Sequence, residues 1–284
     1  MIKTIPKRRM VIDNNYLQHD DLRAYLAESG HNYVVLNEFV AMDSYKGNTL
    51  KSIPLSYQIL CEHPRQVILL KGSRITQHYL DLVSNPQLRL IDKGQTGEFC
   101  EFCRVLATAG DTLHVQRQLL ELGQAANSHM DAMIRETIKL AELLPALRES
   151  YTAAELALLQ SKGPLPDDLA RKVVGQIMWV TAERLSVLKV PKPTFDQVID
   201  SFIFREQMCL YIWTIFSMSG ATPSNPARIR NDVIDATHAA YATFFDGLLS
   251  KDRLPNEIYA IARAWLDTMQ AAMRKPILLG DQSL

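Results

Sequence analysis

The chain has 284 residues, of which 47% are hydrophobic and 22% are charged, a composition typical of a globular protein. Lys and Arg together number 31, as do Asp and Glu, so the formal net charge is zero. This balance excludes a uniformly basic surface of the kind that holds nucleic acid through bulk charge. Basic residues do cluster locally, at 7–9, at Lys46 and Lys51, at Arg228 and Arg230, and at Lys251 and Arg253. Each cluster flanks a group of acids, where we expect it to neutralise a phosphate backbone.

The first 95 residues alternate between strand and helix patterns. Short apolar runs predict strands at 10–13, 33–38 and 66–72. Helical spacing of apolar residues predicts helices at 16–29 and around Pro54. Alternation of this kind predicts a parallel sheet with its ligand site at the carboxyl ends of the strands.

The middle of the chain, residues 96–222, is predicted to be entirely helical, with breaks near 163–166, 191–193 and 220–226. Its most apolar stretch, 209–220, is too short to span a bilayer and is predicted to be a buried core helix. We therefore expect no membrane association. The N-terminus lacks the apolar run of a signal peptide, so we expect a cytoplasmic location.

Strand and helix patterns alternate again after Pro226. Asn225 is a candidate N-cap for a helix that begins at Pro226, residues 247–250 form a short apolar run, and 254–273 form an amphipathic helix. The predicted fold class is therefore α/β, with a parallel sheet flanked by helices and interrupted by an all-α insertion. Residues 1–95 and 223–284 would form one discontinuous core, and 96–222 the inserted helical segment.

Four cysteines are too few for a secreted domain held together by disulfides. Cys100 and Cys103 have the spacing of a redox or metal motif, but no second Cys or His pair completes a zinc site. On a helix the two thiols share a face, and we interpret them as core residues.

Four groups of acids lie at the ends of predicted strands or in adjacent helical turns. They are Asp13, then Glu38 and Asp43, then Asp232 and Asp235, and finally Asp246 and Asp252. Taken singly, each acid is equally typical of a turn, a helix cap or a solvated face. Carboxylates that converge on one point cannot all stay ionised unless a cation lies between them. Mg²⁺ and Mn²⁺ prefer such oxygen ligands, so the acids together predict metal-assisted chemistry on a phosphate.

These acids and their neighbours resemble the PIN-domain nuclease superfamily. Its signatures are an Asp that ends the first strand, an acid in the helix after the second strand, an Asp that opens a run of small and apolar residues, and a short strand that ends in Thr/Ser-x-Asp. The matching segments here are V-I-Asp13-Asn14-Asn15, Asp43-Ser-Tyr-Lys-Gly47, Asp232-Val-Ile-Asp235-Ala-Thr-His238-Ala-Ala-Tyr241 and Leu-Leu-Ser250-Lys-Asp252. The last two are the most specific. The resemblance covers 1–95 and 223–284, whereas the helical segment has no counterpart in a minimal PIN domain.

The resemblance implies a PIN-like metal-dependent endonuclease that uses Mg²⁺ or Mn²⁺. Its substrate would be nucleic acid, RNA more often than DNA, as in toxins and defence effectors built on this fold. The implied metal ligands are Asp13, Asp43, Asp232, Asp235 and Asp252. Glu38 competes with Asp43 for the second position, and Ser250 would position the metal-bound water. His238 would either orient Asp235 or serve as a structural histidine.

Two other functions remain open. The chain could be a non-catalytic protein that keeps the PIN scaffold and binds a protein partner through 96–222, or a structure-specific DNA nuclease. The apolar content of 96–222 favours core or oligomer packing over a basic channel for nucleic acid. A homo-oligomer or a regulatory protein partner would therefore use this segment.

Overall fold

The computed structural model describes residues 6–78, 86–108, 112–161, 165–190, 195–218 and 225–274. Within these ranges the chain forms four strands, which are β1 (Arg8–Ile12), β2 (Asn32–Leu36), β3 (Val67–Leu69) and β4 (Gly247–Leu249). The helices are α1 (Asp20–Glu28), α2 (Glu38–Ser44), α3 (Thr49–Glu62), α4 (Ser73–Thr76), α5 (Gln87–Leu90), α6 (Lys93–Ala107), α7 (Leu113–Glu149), α8 (Ala153–Gln160), α9 (Asp167–Val187), α10 (Phe195–Ile199), α11 (Phe202–Met218), α12 (Pro226–Ala242) and α13 (Arg253–Arg274).

The four strands form one parallel sheet in the order β3-β2-β1-β4. Val11 at the centre of the sheet pairs with Val35 on one side and with Leu248 on the other. The expectation of an α/β fold with a parallel sheet is confirmed. Because β2 and β4 lie on opposite sides of β1, the connections change direction there, and a crevice opens beyond the carboxyl ends of β1 and β4.

Each face of the sheet packs into its own hydrophobic cluster. Val11, Val35 and Ile68 point to one face, where they meet α8, α9, α11, α12 and α13. Ile12 and Val34 point to the other face, where they meet α1, α3 and α6. This division follows from the alternation of side chains along a strand. Both faces are covered, as expected for short, almost wholly apolar parallel strands.

The helical segment shares its core with the sheet. Helix α11 is buried along most of its length and packs against α12 and α9. It confirms the core helix expected at 209–220 as far as residue 218, and residues 219 and 220 lie outside the described part of the chain. Helix α6 begins at Lys93, three residues before the expected start of the insertion at 96, and it packs against β3. The division into a discontinuous core and an insertion stays a prediction.

Cys61 on α3 and Cys103 on α6 form a disulfide, with their Cα atoms 5.3 Å apart. Cys103 is buried in the hydrophobic cluster on the Ile12 and Val34 face of the sheet, as expected of a core residue. Its bond to Cys61 was not predicted. Cys100 and Cys209 are free thiols. In the described part of the chain, none of the helices combines the length and the apolar character needed to cross a membrane.

Candidate functional site

Asp13 and Asp252 meet where β1 and β4 end. Asp13 directly follows β1, its backbone N–H donates to the Leu249 carbonyl at 2.9 Å, and the residue is only 6% exposed. Its Oδ2 accepts a hydrogen bond from Ser250 Oγ at 2.7 Å, and Ser250 Oγ in turn accepts the backbone N–H of Asp252 at 3.1 Å. Asn15 Nδ2 donates to Asp252 Oδ2 at 2.7 Å. These hydrogen bonds link the ends of β1 and β4, and they connect the buried Asp13 to the exposed Asp252.

Helix α12 contributes Asp232, Asp235 and His238, which lie on one side of the helix because they are three residues apart. Asn225 caps this helix as predicted, since its side chain accepts the N–H of Ala227. Burial raises the pKa of Asp232, and the Trp213 indole, whose Nε1 donates to Asp232 Oδ2 at 3.1 Å, opposes that rise.

The orientation of α2 distinguishes Glu38 from Asp43 as candidates for the second acid of the site. The two residues are five apart on the helix, so they point about 140° away from each other. Glu38 turns towards the start of α4, where the backbone N–H of Ser73 donates to its Oε1 at 2.9 Å and the Ser73 hydroxyl donates to the same atom. Asp43 instead lies close enough to Asp235 and His238 to shift the pKa of both. The structure therefore brings Asp43, and not Glu38, to the group of acids.

Asp235 lies at the electrostatic centre of this group. Burial, followed by the negative charges of Asp13, Asp252, Asp232 and Asp43, raises its pKa to about 8. Four chain segments thus bring five acids, the acid cluster of Asp13, Asp43, Asp232, Asp235 and Asp252, to one region. Such crowding makes it unfavourable for all five to be ionised without a neutralising cation.

His238 contacts Asp13, not Asp235 as one of the two sequence-based interpretations required. Its Nε2 lies 3.7 Å from Asp13 Oδ1, and its Nδ1 lies 2.8 Å from Asn37 Nδ2. The Asn37 side-chain oxygen accepts the backbone N–H groups of Phe39 and Val40, so the amide nitrogen is the atom that faces the imidazole. Nδ1 must then be the acceptor, and the neutral ring carries its proton on Nε2. Burial lowers the pKa of His238, against the opposing effect of Asp13, which favours this neutral form.

Two expectations about charge are wrong. Asp246 was grouped with Asp252, but it precedes β4 and accepts the backbone N–H of Arg9 at 2.7 Å. It therefore lies at the amino edge of the sheet, about 10 Å of strand away from Ser250. Lys7 immediately precedes β1, and Arg8 and Arg9 begin it at that same edge. Lys7 lies over the ring of Tyr33, and Arg8 lies over the ring of Tyr25. They cannot neutralise a phosphate at the acid cluster.

Other basic side chains do lie beside the acids. Lys46 forms an ion pair with Asp43, and Arg228 is near enough to Asp232 to lower its pKa. Lys251 pairs with Asp21 at 2.6 Å and also lies over the Tyr16 ring, 5.0 Å from its centroid. These cations flank the carboxyl edge of the sheet, where an anionic chain would have to approach the acids.

The donor chemistry of the acid cluster suits a hard cation, since every side-chain donor is an oxygen. Asp43 Oδ1 is buried, and its partner among the described residues is the ammonium group of Lys46. As placed, no three His, Cys, Asp or Glu side chains among the described residues are close enough together to hold a metal ion. A cation would have to draw the carboxylates inward.

Three site residues were not singled out from the sequence: Asn15, Asn37 and Trp213. A sequence signal existed for Asn37, because it separates a predicted strand from the helix that follows, the position of a polar residue at a carboxyl edge. Asn15 lies in the segment that follows Asp13, in a short 3-10 turn at Asn14–Tyr16. Trp213 lies on α11, more than a dozen residues before its partner Asp232, and only the tertiary packing pairs them.

Comparisons of the chain with models of protein families, with curated proteins and with solved structures found no match.

Proposed function

We propose that the chain is a PIN-like, metal-dependent nuclease that hydrolyses phosphodiester bonds in RNA. The observation that carries this proposal is the convergence of five acids from four chain segments, which together with burial raises the pKa of Asp235 to about 8. The acids lie beyond the carboxyl ends of two parallel strands, the usual position of a ligand site in an open α/β sheet. The order of the acids along the chain agrees with the resemblance to PIN domains.

Asp13, Asp43, Asp232, Asp235 and Asp252 would hold Mg²⁺ or Mn²⁺. A bound divalent ion would supply a polarised scissile phosphate and a water of lowered pKa. The oxygen donors and the high pKa of Asp235 both fit such an ion. The role of Ser250 in positioning water stays a prediction, while its hydrogen bond to Asp13 would fix the orientation of that carboxylate.

The surrounding residues have positioning roles in this proposal. Ser250 and the Nε2–H of His238 approach the two oxygens of Asp13 from different sides, and Asn37 holds the imidazole in the required tautomer. The Trp213 indole orients Asp232 through a hydrogen bond, and the Asn15 amide orients Asp252. The crowded acids favour a protonated Asp235 up to about pH 8, and a bound cation would favour its ionised form. Lys46 and Lys251 offer positive charge to the phosphates that flank the scissile bond.

The test is cleavage of labelled tRNA, single-stranded RNA and single-stranded DNA with Mn²⁺, Mg²⁺ or EDTA. We expect RNA to be cut only with metal, and Asp13→Asn and Asp235→Asn to lower the rate by about a hundredfold or more, since loss of even an outer partner of a metal ligand costs 10–100-fold. Asp246→Asn is the matched control, because it removes the same charge at the opposite edge of the sheet.

Cutting that persists in EDTA, or that survives Asp13→Asn, would overturn the proposal. Preferential cutting of branched DNA would favour a structure-specific DNA nuclease.

A second candidate is a non-catalytic scaffold that binds a protein partner or a second copy through the helical segment. One observation favours it: on α9, Trp179 is 66% exposed and Val187 is 71% exposed. Large apolar side chains that remain open to water are typical of contact surfaces. Folded protein that cuts none of the substrates and does not bind Mn²⁺ would favour this candidate over the nuclease.

A further inference from the structure

A second polar site lies on the other side of α12 from the acid cluster. It is a cavity of about 340 Å³, within the range of small-ligand sites. Val233 and Thr237 line it from α12, and because a helix turns 100° per residue they face away from Asp232 and Asp235. Phe39, Met133 and Leu210 supply apolar walls from α2, α7 and α11.

The floor of this cavity holds a carboxyl group that the proposed nuclease does not use. Glu206 is 8% exposed, and Gln77, which donates its Nε2–H to Glu206 Oε2 at 3.0 Å, is equally buried. Among the described side chains, Glu206 makes no ion pair, although Arg184 is near enough to influence it. Ionising a buried acid that has no cation partner is costly, so a carboxyl group in a cavity wall indicates a ligand that supplies hydrogen-bond donors to its charged form.

The mouth of the cavity is basic, in contrast to the acidic side chain on its floor. Arg74 and Arg184 are exposed there, and His129 is half-buried beside them. A ligand that satisfies the cavity therefore needs N–H donors at its inner end, a flat apolar body and an anionic group at its outer end. The Watson–Crick edge of guanine presents two adjacent N–H donors, which match the two oxygens of a carboxylate, whereas adenine presents a donor beside an acceptor. A phosphate would supply the anion for the arginines.

We propose that this cavity binds a guanine nucleotide, with Glu206 on the N–H edge of the base and with Arg74 and Arg184 on the phosphate. The site lies apart from the acid cluster, so its binding does not rest on the proposed nuclease activity. The guanine could belong to a free nucleotide or to a guanosine within an RNA chain. Both sources present the same chemistry to Glu206, and binding measurements separate them.

The experiment is calorimetric titration of the full chain with GMP, AMP and guanosine, at pH 8, where Glu206 is ionised, and in EDTA to prevent cleavage. Two short single-stranded RNAs that differ only by one guanosine-to-adenosine change complete the set. We expect GMP to bind about tenfold or more tightly than AMP, the discrimination that a bidentate pair provides. Glu206→Gln should remove that preference, because an amide offers one donor and one acceptor. Arg184→Ala should weaken GMP but leave guanosine, which has no phosphate, unchanged.

Arg171→Ala is the matched control, an exposed arginine on the same helix that pairs with Asp168 and should leave binding unchanged. Binding of GMP alone identifies a free nucleotide as the ligand. Binding of only the guanosine-containing RNA, with the same dependence on Glu206, identifies an RNA base.

The proposal is overturned if no ligand shows a guanine preference, or if the preference survives Glu206→Gln. If Glu206→Gln fails to fold, the effect of Arg184→Ala on the binding of GMP and of guanosine becomes the test. The proposal is overturned if Arg184→Ala weakens the binding of both ligands equally, or if it weakens the binding of neither ligand.

Discussion

His238 Nε2 lies 3.7 Å from Asp13 Oδ1, while Asn37 holds the other ring nitrogen at 2.8 Å. The contact joins α12 to the end of β1, and Asn37 follows β2, so the ends of two strands and a helix meet at one imidazole. Because Asn37 forces Nδ1 to accept, the ring presents an N–H, and no positive charge, to the carboxylate. The Nε2–H lies too far away for a hydrogen bond to Asp13, and the neutral ring does not offset the negative charge of that carboxylate.

Asn37→Asp should raise the pKa of His238. Aspartate caps a helix as well as asparagine does, so α2 keeps its N-terminal hydrogen bonds. The new carboxylate would face Nδ1 and stabilise the protonated imidazolium. Titration of the histidine ring by ¹⁵N NMR measures the change.

Asn37→Ser is the control for this experiment, since serine retains a capping oxygen but brings no charge to the ring. An unchanged His238 titration in Asn37→Asp would show that the side chain of residue 37 does not control the tautomer.

Mn²⁺ should quench the fluorescence of Trp213. The indole Nε1 donates to Asp232 Oδ2 at 3.1 Å, so a paramagnetic ion bound by Asp232 would lie within a few ångströms of the ring. Trp179→Phe and Trp265→Phe together leave Trp213 as the single tryptophan among the three in the chain. Mg²⁺ should reverse the quenching by competition.

In the same background, Asp13→Asn should shift the quenching curve to higher Mn²⁺ concentration by about tenfold or more. Asp246→Asn should leave the curve in place. Equal curves for these two variants would contradict the assignment of the metal to the acid cluster, whether or not the protein cuts RNA.

The sequence predicts the sheet and most of the acid cluster because both depend on local patterns. Short apolar runs that end in Asp13 or in Ser250-x-Asp252 place acids at strand ends, and parallel strands bring those ends together. The choice between Glu38 and Asp43 was open because it depends on the rotation of α2, which the Asn37 cap sets. Asp246 was misassigned because proximity in sequence does not show that a three-residue strand separates it from Asp252.

Contacts between distant helices were not predictable from one sequence. The Cys61–Cys103 bond depends on how α3 packs against α6, and spacing alone directed attention to Cys100. The Glu206 cavity depends on the packing of six helices. In the sequence, Glu206 is only a charged residue that precedes an apolar run. Arg205, its neighbour, is buried for a structural reason, since it donates to the Thr243 carbonyl at 2.9 Å and pairs with Asp200 at 3.0 Å.

Removal of the disulfide should destabilise the fold. The bond closes a loop between cysteines 42 residues apart, for which chain entropy predicts a stabilisation of about 4 kcal/mol. Cys103→Ser should lower the urea midpoint under non-reducing conditions, and added reductant should then have no further effect. Cys100→Ser is the control and should retain the sensitivity to reductant.

Thiol counting in denaturant provides an independent check. Two reactive thiols are expected before reduction, from Cys100 and Cys209, and four after it. Detection of four reactive thiols in protein that has never been exposed to a reductant would contradict the disulfide.

Stability should fall as pH rises through neutrality, and Glu206 should be one cause. Burial raises the pKa of Glu206 to about 7, Arg184 and the Gln77 amide oppose that rise, and Glu38 adds to it. The folded state therefore keeps a proton that the unfolded chain, with a glutamate pKa of 4.5, has already released. The resulting stabilisation is complete below about pH 4.5 and is lost as pH rises to about 7. Its size is at most about 4 kcal/mol, since a pKa rise of one corresponds to about 1.4 kcal/mol.

Glu206→Gln removes the titrating proton but keeps the shape of the side chain. In urea unfolding with EDTA present, we expect the free energy of unfolding of this variant, relative to wild type, to increase between pH 5 and pH 8. Glu121→Gln, an exposed acid on α7, should give the same difference from wild type at both values. A difference for Glu206→Gln that does not change with pH would show that the carboxyl group is already ionised, or already neutral, across the whole range.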